Sequence, residues 1–229
     1  MVSVVIAAFN EAATVGQCVQ EALQCTYARE VIVVDDGSSD NTAELARQAG
    51  ATSVLVLNQN SGKAAAMAAG VQAAKHDVIL FLDADVTGVT PQMLSRIVEP
   101  VVDGRVEMYV GVRMRKTIWL NKLLRYTPII GGERAVTRRL WDAVPGRYRE
   151  GFKIEIALNH TSKQFDGKMG FEFIDGTVHH IKEQKYGLLA GLLGRILMIG
   201  DILKISFQIY VWDWAIGKLK SWGMQRQGS

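Results

Sequence analysis

The chain has 229 residues, of which 48% are hydrophobic and 21% are charged. That balance excludes a disordered chain and suits one sizeable domain, or a domain with a small appendage. The net charge of +3 is too small to argue for a nucleic-acid partner.

Residues 2–8 are apolar and β-branched and predict a buried first strand, ending in Ala8-Phe9-Asn10-Glu11. A helix is predicted over 12–24, with Val15, Cys18, Val19, Ala22 and Leu23 at helical spacing. Cys18 and Cys25 are the only cysteines. They share a helical face without the spacing of a metal or redox motif, and read as reduced core residues of a cytosolic protein. The N-terminus lacks a basic region and its apolar run passes straight into a strand, which does not read as a signal peptide.

Residues 31–34 predict a second buried strand, ending in the dense turn signal Asp35-Asp36-Gly37-Ser38-Ser39-Asp40. Asn41 and Glu44 have the spacing of a capping box that opens the next helix. A third strand is predicted over 53–57, a loop over 58–62, an Ala-rich helix over 63–74 and a fourth strand over 77–82. Thr90-Pro91 has the form of an N-cap followed by proline at the first helical position. Strands alternating with helices imply βαβ units and a mostly parallel sheet.

Phe81-Leu82-Asp83-Ala84-Asp85 closes the apolar run of the fourth strand. Ligands of open α/β sheets bind beyond the carboxyl ends of the strands. Asp83 and Asp85 are hard oxygen donors separated by one small residue, the kind of donor that suits Mg2+ or Mn2+ carrying substrate phosphates. Three strand ends thus bring polar tips to one rim: Asn10-Glu11, Asp35-Asp36 and Asp83 with Asp85.

The second half is less regular. A strand is predicted over 106–112, helices over 118–126 and 135–143, another helix over 155–161, and strands over 169–174 and 177–180. Between Arg113 and Arg149 stand ten basic residues against Glu133 and Asp142. Such a segment suits phosphates or anionic lipid, or a solvated face. Residues 188–214 are rich in Leu, Ile and Trp but interrupted by charge, with no clean apolar span of about 18 residues. An amphipathic pair of helices on a membrane surface fits, with Trp212, Trp214 and Trp222 at the interface; helices packed on protein fit as well.

The stretches VSVVIAAFNEAATVGQCV, EVIVVDDGSSDNT, NQNSGKAAAMAAG and VILFLDADV, in that order over residues 2–95, resemble the family-two glycosyltransferases with the GT-A fold. More distantly, YVGVR at 109–113, GGERAVTRRLWDAV at 131–144 and GFKIEIAL at 151–158 are similar to the dolichol-phosphate-mannose-synthase-like branch, which glycosylates polyprenyl phosphates. Residues 177–182 stand where that branch usually has an arginine-containing segment. The Gln-x-x-Arg-Trp signature of processive polysaccharide synthases is absent.

The resemblance implies an α/β fold: a GT-A-type, Rossmann-like, mostly parallel sheet flanked by helices, with C-terminal amphipathic helices. Residues 1–185 would form the catalytic domain, 1–95 binding the nucleotide sugar and 96–185 the acceptor, and 186–229 the tail. It implies a UDP- or GDP-linked donor bordered by Ala8, Asn10 and Glu11, with Asp36, backed by Asp35, on the base or ribose and Lys63 lending positive charge. Asp83 and Asp85 would hold Mg2+ or Mn2+, Asp83 also reaching the ribose. GT-A enzymes sometimes recruit a late histidine, which points to His179 or His180 as a further metal ligand. Glu155 falls near the family's catalytic carboxylate, joining Asp85 as a catalytic residue. Arg134, Arg138 and Arg113 would bind an acceptor phosphate.

The leading expectation is a metal-dependent, inverting transfer of one sugar to a polyprenyl phosphate, peripheral on the inner, cytoplasmic face of the membrane. The alternatives are transfer to a hydroxyl acceptor with Glu155 as general base, and a nucleotide-sugar-binding or scaffold protein without turnover. A homo-oligomer is left open.

Overall fold

The computed structural model describes residues 1–113, 133–149, 153–165, 169–174 and 178–179. The chain divides into two units, Met1–His180 and Ile181–Ser229, and every described residue lies in the first. The helices expected over 118–126 and 188–214, and His180, lie outside the described residues.

Four strands, β1 (Val2–Ala8), β2 (Ala28–Asp35), β3 (Ser53–Val56) and β4 (Val78–Asp83), alternate with the helices α1 (Val15–Leu23), α2 (Thr42–Gln48) and α3 (Lys63–Ala73). All four strands run parallel. The continuous apolar runs of β1, β2 and β4 are those of strands covered on both faces, and their central residues are fully buried. Helix α1 turns Val15, Cys18, Val19 and Ala22 inward, the i, i+3, i+4, i+7 stripe of its sequence. Helix α3 is Ala-rich because it lies close on the sheet. A Cβ at Gly70 would fall 2.3 Å from Val5 Cγ1.

Helix α4 (Pro91–Val102) begins as its sequence predicts, with Thr90 Oγ1 accepting from Met93 N and proline in the first turn. The capping box expected at α2 does not form. Asn41 makes no side-chain capping bond, and Asp40 accepts from Thr42 N at 3.0 Å instead.

Beyond β4 the sheet continues with β6 (Met108–Arg113), β7 (Glu133–Thr137) and β8 (Met169–Ile174), in the order β3-β2-β1-β4-β7-β6-β8. Strand β7 is antiparallel to both neighbours, with Arg134 facing Phe81 on one side and Val110 on the other. The helix expected over 135–143 is therefore two elements: β7, then α5 (Arg138–Ala143), capped by Thr137. The competing force is the sheet itself. Without β7, the backbone groups of β4 and β6 would face each other unpaired in the core, and Ala135 and Val136 are wholly buried there.

Helix α6 (Lys153–Ser162) packs against α5. A two-stranded ribbon, β5 (Val86–Thr87) with β9 (Val178–His179), pairs Val86 with His179 just after the acidic turn.

Candidate functional site

The three polar strand ends meet at one rim, stitched by side-chain-to-backbone bonds. Asn10 sits at φ +54°, in the left-handed region that asparagine tolerates. Its Oδ1 accepts from Ser39 N at 2.9 Å and its N–H donates to Ser38 Oγ at 2.9 Å. Glu11 N donates to Thr42 Oγ1 at 2.8 Å, and the Ala8 carbonyl accepts from Asp36 N at 2.8 Å. The loops after β1 and β2 are thereby one unit.

Asp35 and Asp36 are both buried. Asp35 Oδ1 accepts from Ser38 N at 2.9 Å and from the Ser38 hydroxyl. Asp36 accepts from Ser61 N on one oxygen and Gly62 N on the other, both at 2.8 Å. Asp36 thereby fixes the loop that launches α3, and Asp35 fixes the turn after β2. Gly37 is required beneath it: at φ +74°, a Cβ would lie 2.7 Å from the Gln59 carbonyl carbon. Turn fixing is thus a real duty of both carboxylates. Each oxygen of Asp36 accepts one of these bonds and keeps a second lone pair for a ligand donor, whereas Asp35 Oδ1 is committed twice to Ser38.

From Asp83 inward runs a chain of alternating charge. Lys63, at the start of α3, places Nζ 2.7 Å from Asp83 Oδ1 and 3.0 Å from Glu155 Oε1. Glu155, in the first turn of α6, turns its other oxygen to Arg134 Nη2 at 3.5 Å. Arg134 Nη1 also donates to the Glu155 carbonyl at 3.4 Å. Exposure falls along the chain, from 28% for the Lys63 side chain to 4% for Glu155 and 1% for Arg134. Burial opposes the charge on Lys63, but Asp83 and Glu155 outweigh it and hold the ammonium above the ordinary lysine range. Burial lowers the pKa of Arg134, with Glu155, Asp83 and Glu133 opposing it. A guanidinium stays charged under these conditions.

Asp85 lies half-buried in the turn after β4. Among the described residues no three His, Cys, Asp or Glu side chains form a ready metal cage. The donor set at this turn, two carboxylates one residue apart, nevertheless fits Mg2+ or Mn2+, which rely on one or two carboxylates and take phosphate oxygens for the rest. The register of β9 brings the His179 backbone beside Val86, next in sequence to Asp85.

The expected phosphate-binding arginines part company. Arg113 closes β6 at the same rim as the acidic turn, because β6 runs parallel to β4 through the antiparallel β7. Arg138 is a correction. Thr137 pairs with Val78, which puts Arg138 at the opposite end of β4. Its guanidinium donates to the carbonyls of Val71, Ala74 and His76 at 3.0, 2.7 and 3.2 Å, closing the C-terminus of α3. Arg134 is a second correction: it is buried as the counter-ion of Glu155 and is not displayed to an acceptor. Among the described residues of the basic segment, Arg139 is paired to Glu107 and Arg149 is bonded to the carbonyls of Trp141, Asp142 and Val144.

One residue at this site is invisible to motif reading. The Cys18 thiol lies 3.2 Å from the Val86 carbonyl and 3.4 Å from that of Ala84, pinning the acidic turn from beneath. Its helical spacing marks a core position and nothing more.

Comparison with known proteins adds the following. A family model described as glycosyl transferase family 2 matches residues 3–151. The undecaprenyl-phosphate 4-deoxy-4-formamido-L-arabinose transferase of Aeromonas hydrophila is 37% identical over 131 residues, covering 53% of this chain and 40% of that protein. The protein of the same description from Proteus mirabilis is 32% identical over 130 residues, with the same coverages, 53% and 40%. The chain thus matches about two fifths of the length of these curated relatives. Glucosyl-3-phosphoglycerate synthase from Mycobacterium tuberculosis, crystallised with Mn2+, UDP-glucose and phosphoglyceric acid, superposes with a TM-score of 0.68 at 24% identity, over 85% of this chain and 79% of that one. That likeness is one of fold.

Proposed function

The chain belongs to glycosyl transferase family 2, and from that premise we propose that it transfers one sugar from a nucleotide-diphosphate sugar to a polyprenyl phosphate at a membrane face. It is a glycosyltransferase with a GT-A-like α/β fold. The curated relatives are named as undecaprenyl-phosphate transferases, which supports an anionic lipid acceptor here.

The donor would lie across the strand ends. Ala8, Asn10, Glu11, Asp35 and Asp36 would border its nucleoside, and Asp85, Asp83 and one of His179 and His180 would hold a Mg2+ or Mn2+ ion. That ion supplies positive charge to the leaving diphosphate. The solved relative of like fold binds Mn2+ with a UDP-sugar, which supports the same pairing here. In an inverting transfer, an acceptor phosphate oxygen attacks the anomeric carbon. The bond from that carbon to the diphosphate oxygen breaks, and the nucleoside diphosphate leaves. Arg113, whose backbone closes β6 on the side of the acidic turn, would steady the acceptor phosphate.

One observation carries the acceptor class. Glu155 is 4% exposed, with Lys63 on one oxygen and Arg134 on the other. A general base must lie within hydrogen-bond reach of the proton it abstracts, and here both carboxylate oxygens are already turned to cations in a buried position. A phosphate nucleophile is already an anion and needs no base. The test is turnover of Glu155→Gln at saturating donor and metal, with radiolabelled UDP- and GDP-sugars and undecaprenyl phosphate in detergent. The expected result is labelled lipid formed at a kcat within about tenfold of wild type. Loss of a true general base costs about 10²- to 10⁴-fold, and a fall of that size would move the reading to a hydroxyl acceptor.

Among the described residues no helix is long and apolar enough to cross a membrane. Contact with the cytoplasmic leaflet would fall to the Trp-bearing tail. As a donor test, calorimetry with UDP, GDP, CDP and dTDP, with and without Mn2+, is expected to find one nucleotide whose binding needs both the metal and Asp85. Equal binding by Asp85→Ala would remove the carboxylate from the donor site.

A further inference from the structure

The ammonium of Lys63 occupies an unusual position. It is bonded at once to the first carboxylate of the acidic turn, Asp83 at 2.7 Å, and to a second carboxylate behind it, Glu155 at 3.0 Å. Both oxygens of Glu155 face cations, and Arg134 holds it from a site with 1% exposure. Three features follow. Asp83 is already neutralised by a cation belonging to the chain itself. Lys63 sits on a flexible four-carbon stem whose ammonium can turn between partners. The buried end of the charge chain is fixed on strand β7, while its outer end reaches the rim.

We propose that Lys63 is a place-holding cation for the donor's divalent ion. It neutralises Asp83 while the donor site is empty and gives that carboxylate up, resting wholly on Glu155, when the metal and diphosphate enter. Glu155 is then a positioning residue, the resting place of Lys63, and Arg134 keeps that resting place in register. This rests on the reading of the acidic turn as a divalent-cation site. Its physical logic is competition. A single cation can neutralise Asp83 at one time without the two repelling each other, so the lysine and the metal ion exclude one another at its oxygens. The arrangement also keeps Asp83 paired with a cation in the apo protein.

The signs of the effects separate this role from a merely structural one. Removing Lys63 relieves the competition, so nucleotide-free metal binding tightens. Removing the charge of Glu155 leaves Lys63 wholly to Asp83, so metal binding weakens. A lysine that only supports the fold gives weakening, or no change, in both. The Lys63–Asp83 pair is part-exposed, at 28% and 20%, and pairs of that kind oppose a competitor by about three- to fivefold.

The experiment is a titration of full-length protein with Mn2+ without nucleotide, read as loss of the free-ion electron paramagnetic resonance signal. It compares wild type with Lys63→Met, Lys63→Arg, Glu155→Gln and Asp85→Ala, each checked for fold by circular dichroism. Lys63→Met is expected to bind Mn2+ about three- to fivefold more tightly, Lys63→Arg to match wild type, and Glu155→Gln to bind about threefold more weakly. Asp85→Ala should abolish binding. If Asp85→Ala binds as wild type does, or if neither wild type nor Lys63→Met binds, the cation site itself fails and the proposal with it. If binding depends on Asp85 but folded Lys63→Met binds no more tightly than wild type, place-holding alone is overturned. Should Lys63→Met not fold, Lys63→Gln takes its place and is read in the same way: tighter Mn2+ binding than wild type supports the proposal, and equal or weaker binding overturns it.

Discussion

The Cys18 thiol shows how one core side chain can set the shape of a site that it never enters. It lies against the carbonyls of Ala84 and Val86 and so limits how the turn carrying Asp83 and Asp85 can move. Burial pushes the thiol up from an ordinary 9.0 to about 12, and the charges of Asp85, Glu133 and Asp83 push the same way. A raised pKa means that the fold favours the protonated thiol. Its contribution to stability is complete below about pH 9 and is lost as pH rises toward 12. Urea unfolding of wild type and Cys18→Ala should therefore differ by a constant amount up to about pH 9 and by a shrinking amount above it. A gap independent of pH from 8 to 11 would contradict the assignment. Individual residues of this kind are where sequence reading stops. The pairing of Lys63 with Glu155 joins positions 92 apart, and no local spacing encodes it. The carboxylates at strand ends were legible because their place depends only on where an apolar run ends. The sharing of Arg134 between a strand and a buried ion pair was not, because charge in a sequence does not say which way a side chain faces.

At the scale of elements, the first four strands and three helices follow from periodicity, since each is a local pattern closed by a local turn. The failure at β7 has a different cause. The stretch 135–143 contains good helix formers, but its first residues fill a gap between two strands distant in sequence, and that tertiary demand overrides propensity. The same event decides Arg138. A continuous helix over 135–143 leaves its direction open, whereas a strand ending at Thr137 delivers it to the far end of the sheet, onto the last carbonyls of α3. Arg138→Met is accordingly expected to lower stability by about 1–3 kcal/mol, the cost of stranding bonded carbonyls, while the KM for the lipid acceptor stays at its wild-type value. Denaturant unfolding and acceptor titration measure the two separately. A raised acceptor KM at unchanged stability would return Arg138 to the phosphate-binding role that its charge suggests. Arg113 provides the contrast, since it closes β6 at the rim where the acidic turn emerges.

At the scale of the whole molecule, the described sheet supplies one rim at which a donor and an anion can meet, and no helix among the described residues crosses a membrane. Under the proposed function, a lipid-borne acceptor would meet that rim from a bilayer surface, and a surface-binding segment of the chain would bring the two together. The sequence offers one segment of suitable chemistry: residues 188–222, Leu- and Ile-rich, with Trp212, Trp214 and Trp222. Tryptophan favours the boundary between headgroups and acyl chains, where its ring is half in an apolar medium and its N–H stays wet. Replacing Trp212 and Trp214 with serine in the full chain is therefore expected to reduce co-sedimentation with vesicles containing anionic lipid by about tenfold, while nucleotide binding at the strand ends is unaltered. Salt provides a second axis. Attraction of basic residues to anionic headgroups is screened within a Debye length of about 8 Å at physiological ionic strength, whereas burial of indole is not. If the tail binds chiefly through its tryptophans, co-sedimentation survives high salt in the wild type. If binding is unchanged in the double variant but disappears in salt, the membrane contact is electrostatic, and the basic stretch beginning at Arg113 becomes the surface to dissect.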